Sequence, residues 1–322
     1  MLVTIAIPTY NRADGLLCEA IDSALAQTYP EVEVIVSDNC STDSTPELME
    51  QYADSRLRYI RHDENLGSVG NFNYCLSAAT GEFFLLLHDD DSVDPDCVSA
   101  CVQALERSEY QDTAGYVRTG TRLIDKEGHV VARYPNHAAK NTRAAAIQGA
   151  DAVLAWMSCH NYWAFASTLF RTQSLRDLGG FSTDQFARGC DIHSMAGVAL
   201  QSQRGIEIQP IKASFRKHEH TLTNHASIRE WVDEWSRLYR QIVDWAPSPA
   251  YKRRFQKAGA EFFSRICYDL VSKVDSPIVR YRLFLLVYRQ FGGIYLPPPI
   301  RRLIRRGKNA ILSSKPVEAG HY

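Results

Sequence analysis

Apolar and polar positions in the first hundred residues follow two patterns, one typical of strands and one typical of helices. Short apolar runs predict four strands, over residues 2–7, 32–36, 57–60 and 83–87. Helical spacing predicts helices over residues 14–27 and 69–79. Capping residues predict one helix that begins at 44 and another that begins at Asp94 and Pro95 and ends at about 107. Strands that alternate with helices indicate βαβ units. We therefore expect an α/β fold with a doubly wound, mostly parallel sheet flanked by helices.

Polar residues follow three of the predicted strands at their carboxyl ends. The first strand leads into residues 8–12, the second into 37–39 and the fourth into 88–91. In open α/β sheets, ligands bind beyond the carboxyl ends of the strands. We therefore expect these three segments, although far apart along the chain, to meet at one edge of the sheet and form the functional site.

Three adjacent carboxylates, those of Asp89, Asp90 and Asp91, come directly after the fourth strand. Such groups repel one another unless a cation neutralises them, and Mg²⁺ or Mn²⁺ prefers oxygen ligands that it shares with substrate phosphates. Two alternatives stay open. One is a solvated acidic turn, and the other is a haloacid-dehalogenase-type phosphohydrolase with Asp89 as nucleophile and Asp91 as general acid. A phosphohydrolase of this type would require a downstream acidic GDxxxD metal motif, which residues 92–322 lack.

Composition and charge narrow the class of protein. The 322 residues suffice for about two domains, or for one domain with a large appendage. A hydrophobic content of 45% is typical of a globular protein and excludes a disordered chain. The formal net charge of −1 argues against a nucleic-acid partner. Eight scattered cysteines without a CxxC pair indicate reduced thiols, and because we find no secretory signal or long apolar stretch, we expect a cytoplasmic protein.

Nine short motifs follow one another along the first two thirds of the chain. They are I-P-T-Y-N-R (7–12), S-A-L-A-Q-T-Y (23–29), V-S-D-N-C-S-T-D (36–43), N-L-G with G-N-F-N (65–73), A-T-G-E (79–82), L-H-D-D-D with Pro95 (87–95), S-T-L-F-R (167–171), G-G-F (179–181) and F-R-K-H (215–218). In this order they resemble glycosyltransferase family 2, of the GT-A fold and the bacterial surface-polysaccharide type. Each motif alone is unspecific, whereas nine in the same order are a specific signal.

The resemblance implies a site for a nucleotide-sugar donor at the carboxyl edge of the sheet. Pro8, Tyr10 and Arg12 would line the nucleotide pocket. Asp38 would accept hydrogen bonds from the base or the ribose, and Asp89 would approach the ribose. Asp90 or Asp91 would ligate Mn²⁺ or Mg²⁺ on the diphosphate. His88 stands where the family usually has an aspartate, and it would either hydrogen-bond the nucleotide or be a satisfied histidine at the strand end. The full set of donor-side residues that we predict is Pro8, Thr9, Tyr10, Asn11, Arg12, Asp38, Asn39, Gly67, Asn71 and Asp89.

The resemblance also implies a catalytic base on the acceptor side. The family carries a carboxylate about ten residues after its Gly-Gly-Phe turn, at the start of a helix, which makes Asp191 our candidate, with Asp184 in reserve. Cys190 stands at the family's first acidic place. Arg216 and His218 end a predicted strand and resemble the segment that folds over the donor diphosphate, although a basic solvated loop would show the same pattern.

From about residue 225 onward the pattern becomes helical. We predict three parts: a nucleotide-sugar-binding part (1–110) and an acceptor part (111–224) of one GT-A domain (1–224), and a C-terminal helical appendage (225–322). Residues 276–317 hold nine Lys or Arg and no Asp or Glu. This basic amphipathic segment predicts either contact with anionic lipid at the inner face of the plasma membrane, or helices packed on the catalytic domain with their arginines outward.

Together with the resemblance, these features predict an enzyme. It would be a metal-dependent, inverting glycosyltransferase that moves a sugar from a nucleotide-sugar to a hydroxyl of a glycan or polyprenyl-linked acceptor, in surface-polysaccharide biosynthesis. The alternative to an enzyme is a nucleotide- or glycan-binding protein on the same scaffold.

Overall fold

The computed structural model describes residues 1–136, 144–158, 163–182, 186–217, 228–274 and 276–292. The strands are β1 Val3–Thr9, β2 Val32–Asp38, β3 Leu57–Arg61, β4 Phe83–Leu86, β5 Ser92–Val93, β6 Tyr116–Ile124, β7 Val130–Tyr134, β8 Ala144–Gln148, β9 Thr168–Arg171 and β10 Arg204–Arg216. The helices are α1 Leu16–Leu25, α2 Thr45–Met49, α3 Gly67–Ala78, α4 Cys97–Glu106, α5 Gly149–Met157, α6 Thr172–Asp177, α7 Cys190–Ser202, α8 Ile228–Asp244, α9 Pro249–Ser272 and α10 Pro277–Gln290. All four strands predicted in the first hundred residues are confirmed.

The fourth predicted helix begins later than its sequence pattern suggested. We predicted Asp94 and Pro95 as its cap, but α4 begins at Cys97. Ser92–Val93 pair with β10 as a short strand, so the backbone stays in the sheet up to this point. The Asp94 carboxylate forms an ion pair with Arg122 instead of capping the helix. Tertiary pairing therefore outweighs the local capping signal.

The described strands form one sheet in the order β3-β2-β1-β4-β9-β6-β10-β5, with β7 beside β6 and β8 beside β10. Strands β1 to β4 are parallel to one another. Because β9 is antiparallel to both β4 and β6, and β10 is parallel to β6, six of the ten strands run in the same direction. The predicted mostly parallel sheet is confirmed.

Helices cover both faces of the sheet, each over its own hydrophobic core. Alternate β1 side chains such as Val3, Ile5 and Ile7 face α1, α2 and α4 on one side. Ala6 faces the other side, where α3 and α5 to α10 share a second core. This two-sided burial explains why the central strands are continuous apolar runs in the sequence. The predicted doubly wound arrangement is confirmed.

The C-terminal helices α8 to α10 belong to this second core. Trp235 of α8 and Trp156 of α5 both contact the ring of Phe263 on α9, with centroid distances of 5.5 Å and 6.1 Å. In α10, Phe284 and Val287 are buried, while its first turns expose apolar side chains to solvent. In the part of the chain described, no helix combines the length and the apolar character needed to cross a bilayer.

Candidate active site

The strand register brings the predicted polar segments to one edge of the sheet. Thr9 ends β1 and lies opposite Asp38 at the end of the parallel β2. The hydroxyl of Thr9 donates a hydrogen bond of 2.8 Å to Oδ2 of Asp89, just beyond β4. Three segments that are distant in sequence therefore meet at one edge, as the parallel topology predicted.

Arg12 provides positive charge at this edge. Its Nε lies 3.3 Å from Oδ1 of Asp89, and its Nη2 lies 3.9 Å from Oδ2 of Asp90. Burial raises the pKa of Asp89 and the charge of Asp90 adds to this, while Arg12 and the Thr9 hydroxyl oppose the rise. Both oxygens of Asp89 are thus engaged by the first motif, which fixes its carboxylate in one orientation.

Asp91 offers a buried carboxylate oxygen to the site. Its side chain is 1% exposed, and its Oδ1 accepts a hydrogen bond of 2.9 Å from the backbone N–H of Arg216. Its Oδ2 has no hydrogen-bond partner among the residues that the structure describes and lies 3.7 Å from Nδ1 of His88. A buried oxygen without a donor is costly, and a cation is the natural partner for it.

His88, Asp90 and Asp91 fit a divalent cation. One potential ligand atom from each lies within 4.8 Å of the others. Burial raises the pKa of Asp91 well above its usual value, with further contributions from the charges of Asp90 and Asp89. A bound cation would offset this cost by stabilising the ionised carboxylates. The predicted ligands Asp90 and Asp91 are therefore brought together, with His88 beside them.

Arg216 connects the loop of residues 88–91 to the rest of the domain. Its side chain is 4% exposed, its Nε donates a hydrogen bond of 2.9 Å to the Asp90 carbonyl, and its Nη1 donates one of 3.1 Å to the Lys126 carbonyl. Its Nη2 forms an ion pair with Glu19 of α1. Its guanidinium thus lies among protein oxygens, where it holds the acidic loop, residues 88–91, in position, and its contact with the donor diphosphate stays a prediction.

Two of the predicted donor-side residues hold neighbouring loops through their side chains. Asp38 is fully buried, and its two oxygens accept hydrogen bonds from the Ser41 N–H (2.9 Å) and the Tyr59 hydroxyl (2.6 Å). Asn39 accepts from the Leu66 N–H at 2.7 Å and donates to the Gly67 carbonyl at 3.2 Å. Both side chains therefore shape the edge, and their direct contact with a donor stays a prediction.

The remaining donor-side residues differ in exposure. The Asn71 amide is buried and exchanges hydrogen bonds with Ser37 on β2, which ties α3 to the sheet. Pro8 is buried in β1, whereas Tyr10 is exposed. Asn11 has a φ of 50° and accepts a hydrogen bond of 2.8 Å from the Thr42 N–H. Gly67, at the first position of α3, has a φ of +72°, which favours glycine.

Asp191 lies half-buried in the first turn of α7, directly after Cys190. Burial raises its pKa, while the Ile192 N–H and the charge of His88 oppose the rise. His88, whose Nδ1 lies 3.7 Å from Oδ2 of Asp91, is thus also among the groups whose charge acts on Asp191. The other acceptor-side candidates, Asp184 and His218, lie outside the described residues.

Sequence reasoning missed the residue that positions the start of α7. Glu234 of α8 is buried, and its Oε1 accepts hydrogen bonds from the N–H groups of Arg188 (2.7 Å) and Gly189 (3.0 Å). Its Oε2 also accepts a hydrogen bond of 3.0 Å from Nη1 of Arg188. Glu234 follows Gly189 by 45 residues. No local motif marks Glu234, and the sequence shows it only as an acidic residue on the apolar face of a predicted helix.

Curated relatives match the N-terminal part of the chain. The succinoglycan biosynthesis protein ExoO of Rhizobium meliloti (strain 1021) is 45% identical over 94 residues, which are 29% of this chain and 27% of that protein. The GalNAc(5)-diNAcBac-PP-undecaprenol beta-1,3-glucosyltransferase of Campylobacter jejuni subsp. jejuni serotype O:2 is 34% identical over 132 residues, which are 40% of each chain. The matches therefore span well under half of these relatives.

Solved structures share the fold at low identity. S. aureus TarS 1-349 in complex with UDP-GlcNAc superposes with a TM-score of 0.70 at 19% identity, over 92% of this chain and 82% of that one. The mannosyltransferase PcManGT from Pyrobaculum calidifontis, in complex with GDP-Man and Mn²⁺, superposes with a TM-score of 0.53 at 19% identity, over 97% and 88% of the two chains. These likenesses confirm the GT-A fold.

The family comparison covers the donor side of the site. Residues 4–164, half of the chain, match the family described as Glycosyl transferase family 2. This stretch includes the three polar segments at the sheet edge, and it leaves no reason to retain the phosphohydrolase alternative for Asp89 and Asp91. The chain belongs to glycosyl transferase family 2, and the domain it carries is a glycosyltransferase domain.

Proposed function

We propose that this protein transfers a sugar, with inversion and with the help of a divalent cation, from a nucleotide-sugar to a hydroxyl of a glycan or polyprenyl-linked acceptor. The observation that carries the proposal is the meeting of residues 8–12, 37–39 and 88–91 at one sheet edge, where the buried Oδ2 of Asp91 has no hydrogen-bond partner among the described residues. UDP-GlcNAc and GDP-Man are the donors in the two solved structures, and one relative is named for an undecaprenol-linked acceptor. The ExoO relative supports a role in polysaccharide biosynthesis.

On the donor side, this chain supplies charge and orientation. Arg12 offsets the charge of Asp89 and Asp90, and Thr9 holds the carboxylate of Asp89, which would approach the donor's ribose. Asp90 and Asp91 would hold Mn²⁺ or Mg²⁺. When bound, the cation neutralises charge on the departing nucleoside diphosphate.

On the acceptor side, Asp191 acts as the general base. It takes the proton from the acceptor hydroxyl while that oxygen forms its bond to the anomeric carbon and the bond to the diphosphate breaks. A single displacement of this kind inverts the anomeric centre. The raised pKa of Asp191 makes its carboxylate a better proton acceptor than an exposed aspartate.

Donor binding tests the proposal directly. We expect Mn²⁺ together with UDP- or GDP-sugars to raise the melting temperature of the full-length protein, since a ligand at 100 times its Kd stabilises by about 2.7 kcal/mol. Asp90→Asn and Asp91→Asn should abolish the Mn²⁺-dependent shift. Asp125→Asn is the matched control, because Asp125 belongs to a separate acidic group on the β6–β7 hairpin.

Two results would contradict these roles. Nucleotide affinity that is unchanged in both Asp90→Asn and Asp91→Asn would remove the metal-binding assignment. Tight donor binding without either transfer or slow donor hydrolysis would favour the non-catalytic binding protein over an enzyme.

We also propose peripheral contact with the cytoplasmic face of an anionic membrane through the start of α10. Ile278 (68% exposed) and Tyr281 (62% exposed) present apolar surface, and Arg280 and Arg282 lie between and beside them. A basic segment with exposed apolar side chains favours anionic lipid surfaces. The seven described cysteines are free thiols, in keeping with a reducing compartment.

Flotation with vesicles tests this contact. We expect full-length protein to float with vesicles that contain anionic phosphatidylglycerol and to remain in the supernatant with neutral phosphatidylcholine. The triple variant Ile278→Ser, Val279→Ser, Tyr281→Ser should lose binding. The control Val130→Ser, Val131→Ser removes exposed apolar side chains from β7 and should bind normally. Equal partitioning of the triple variant and the wild type would contradict the contact.

A further inference from the structure

Resting on the proposed metal-dependent donor site, we propose that His88 is a direct ligand of the cation and makes the site select Mn²⁺ over Mg²⁺. The donor-side prediction named Asp90 or Asp91 as the ligand, and it did not assign His88 to the cation. The proposal thus concerns His88, which takes the place of a carboxylate in this loop.

The geometry of the three side chains fits a shared ion. Nδ1 of His88 lies 3.7 Å from Oδ2 of Asp91, and one potential ligand atom from each of His88, Asp90 and Asp91 lies within 4.8 Å of the others. Ligands at about 2.1 Å from an octahedral ion are about 3 Å apart when adjacent and about 4.2 Å apart when opposite. The observed 3.7 Å lies between these values, so an ion requires only small side-chain movements.

A second observation points independently to a ligand between His88 and Asp91. Oδ2 of Asp91 is buried and lacks a hydrogen-bond donor within the described part of the chain, and it is the oxygen that faces the imidazole. At 3.7 Å, Nδ1 of the imidazole is too far away to donate a hydrogen bond to this oxygen. A cation between the two atoms satisfies both at once.

Aromatic neighbours support the His88 ring. The ring of Phe72, from α3, has its centroid 5.6 Å from that of His88, and the ring of Phe165 meets His88 edge-on at 5.9 Å. His88 is therefore flanked by residues from two different elements, which restricts its rotation. A ligand that is held in place in advance binds an ion without losing much side-chain entropy.

The type of ligand decides which ion is preferred. Mg²⁺ favours oxygen-only octahedral coordination and gives up its waters reluctantly, whereas imidazole nitrogen suits transition metals better. An imidazole in place of a carboxylate also lowers the negative charge of the site by one. The lost charge weakens binding of both ions, whereas the nitrogen ligand weakens Mg²⁺ binding more than Mn²⁺ binding, so the Mg²⁺ Kd should exceed the Mn²⁺ Kd by more than in an all-carboxylate site.

Pulsed electron paramagnetic resonance tests the coordination without relying on activity. Full-length protein with Mn²⁺ and UDP or GDP should show ¹⁴N modulation from a bound imidazole. His88→Gln should remove this modulation. It should also weaken Mn²⁺ binding by at least roughly 10–100-fold, which is the usual cost of losing a residue that hydrogen-bonds to a metal ligand. The control His129→Gln alters an exposed histidine in the other group of potential ligands and should keep the modulation.

His88→Asp tests selectivity in a variant that retains a ligand at this position. We expect it to bind Mg²⁺ with UDP or GDP at least about tenfold more tightly, relative to Mn²⁺, than the wild type does. Calorimetric titrations with each metal give the ratio, and unfolding curves show that each variant is folded. An unchanged ratio, or ¹⁴N modulation that persists in His88→Gln, would overturn the role of His88 and leave the proposed function standing. A wild-type protein that binds no Mn²⁺ in the presence of any nucleotide would overturn both.

Discussion

The donor side and the acceptor side of the site are held together in different ways. On the donor side, the important carboxylates lie at strand ends, and their partners come from neighbouring strands and loops of the first hundred residues, as Thr9 does for Asp89. On the acceptor side, Asp191 lies in the first turn of α7, and Glu234 of α8 holds the two residues just before that helix. The donor side is thus a property of the sheet, whereas the acceptor side depends on helices from the C-terminal third.

Arg216 is an exception to this division. It lies at the end of β10, in the acceptor part of the chain, and donates to the Asp90 carbonyl. It also forms an ion pair with Glu19 on the donor side. The acidic loop is therefore the place where the two sides are physically joined, and variants on either side should otherwise act separately.

The largest effect should come from removing the base on the acceptor side. Asp191→Asn should lower kcat by roughly 10²–10⁴-fold, the range typical of general base catalysis, while the Kd for nucleotide with Mn²⁺ stays within about twofold. Initial rates and calorimetry separate the two effects. A fully active variant would rule out Asp191 as the base, and lost donor binding would show that the two sides are not separate.

A smaller effect should follow from disturbing the support of α7. Glu234→Ala leaves the buried N–H groups of Arg188 and Gly189 without an acceptor and should lower the free energy of unfolding by about 1–3 kcal/mol, with a reduced kcat. Glu230→Ala removes an exposed partner of the same arginine, at 2.6 Å, and should cost under about 1 kcal/mol. Urea unfolding and nucleotide titration measure both. If Glu234→Ala weakened donor binding more than turnover, the support would not be specific to the acceptor side.

The smallest effect concerns the pH dependence of stability. Because burial raises the pKa of Asp191, its ionised form disfavours the folded state, and its contribution to stability declines as pH rises through the folded pKa. Asp191→Asn should therefore be more stable than the wild type at pH 8, and the difference should shrink as pH falls toward 4. Urea unfolding at several pH values checks the sign. A variant that is less stable at pH 8 would mean that the carboxylate is stabilised where it lies.

The sequence was most informative where burial alone determines the structure. The apolar run over residues 83–87 predicts a strand covered on both faces, and parallel topology then requires the three polar segments to meet. What the sequence did not show are partners that come from another element. The Tyr59 hydroxyl on Asp38, the β10 pairing that delays α4, and Glu234 beneath α7 each depend on tertiary contacts that leave no local periodicity.

The contact between α8 and the start of α7 has a consequence for swapping acceptor preference between enzymes of this kind. Grafting residues 186–217 alone would carry Arg188 and Gly189 into a host whose eighth helix lacks a matching carboxylate. Their N–H groups would then be buried without an acceptor, and Asp191, the proposed base, would lose its alignment. A chimera should therefore transfer α7 together with α8 and α9 as one segment.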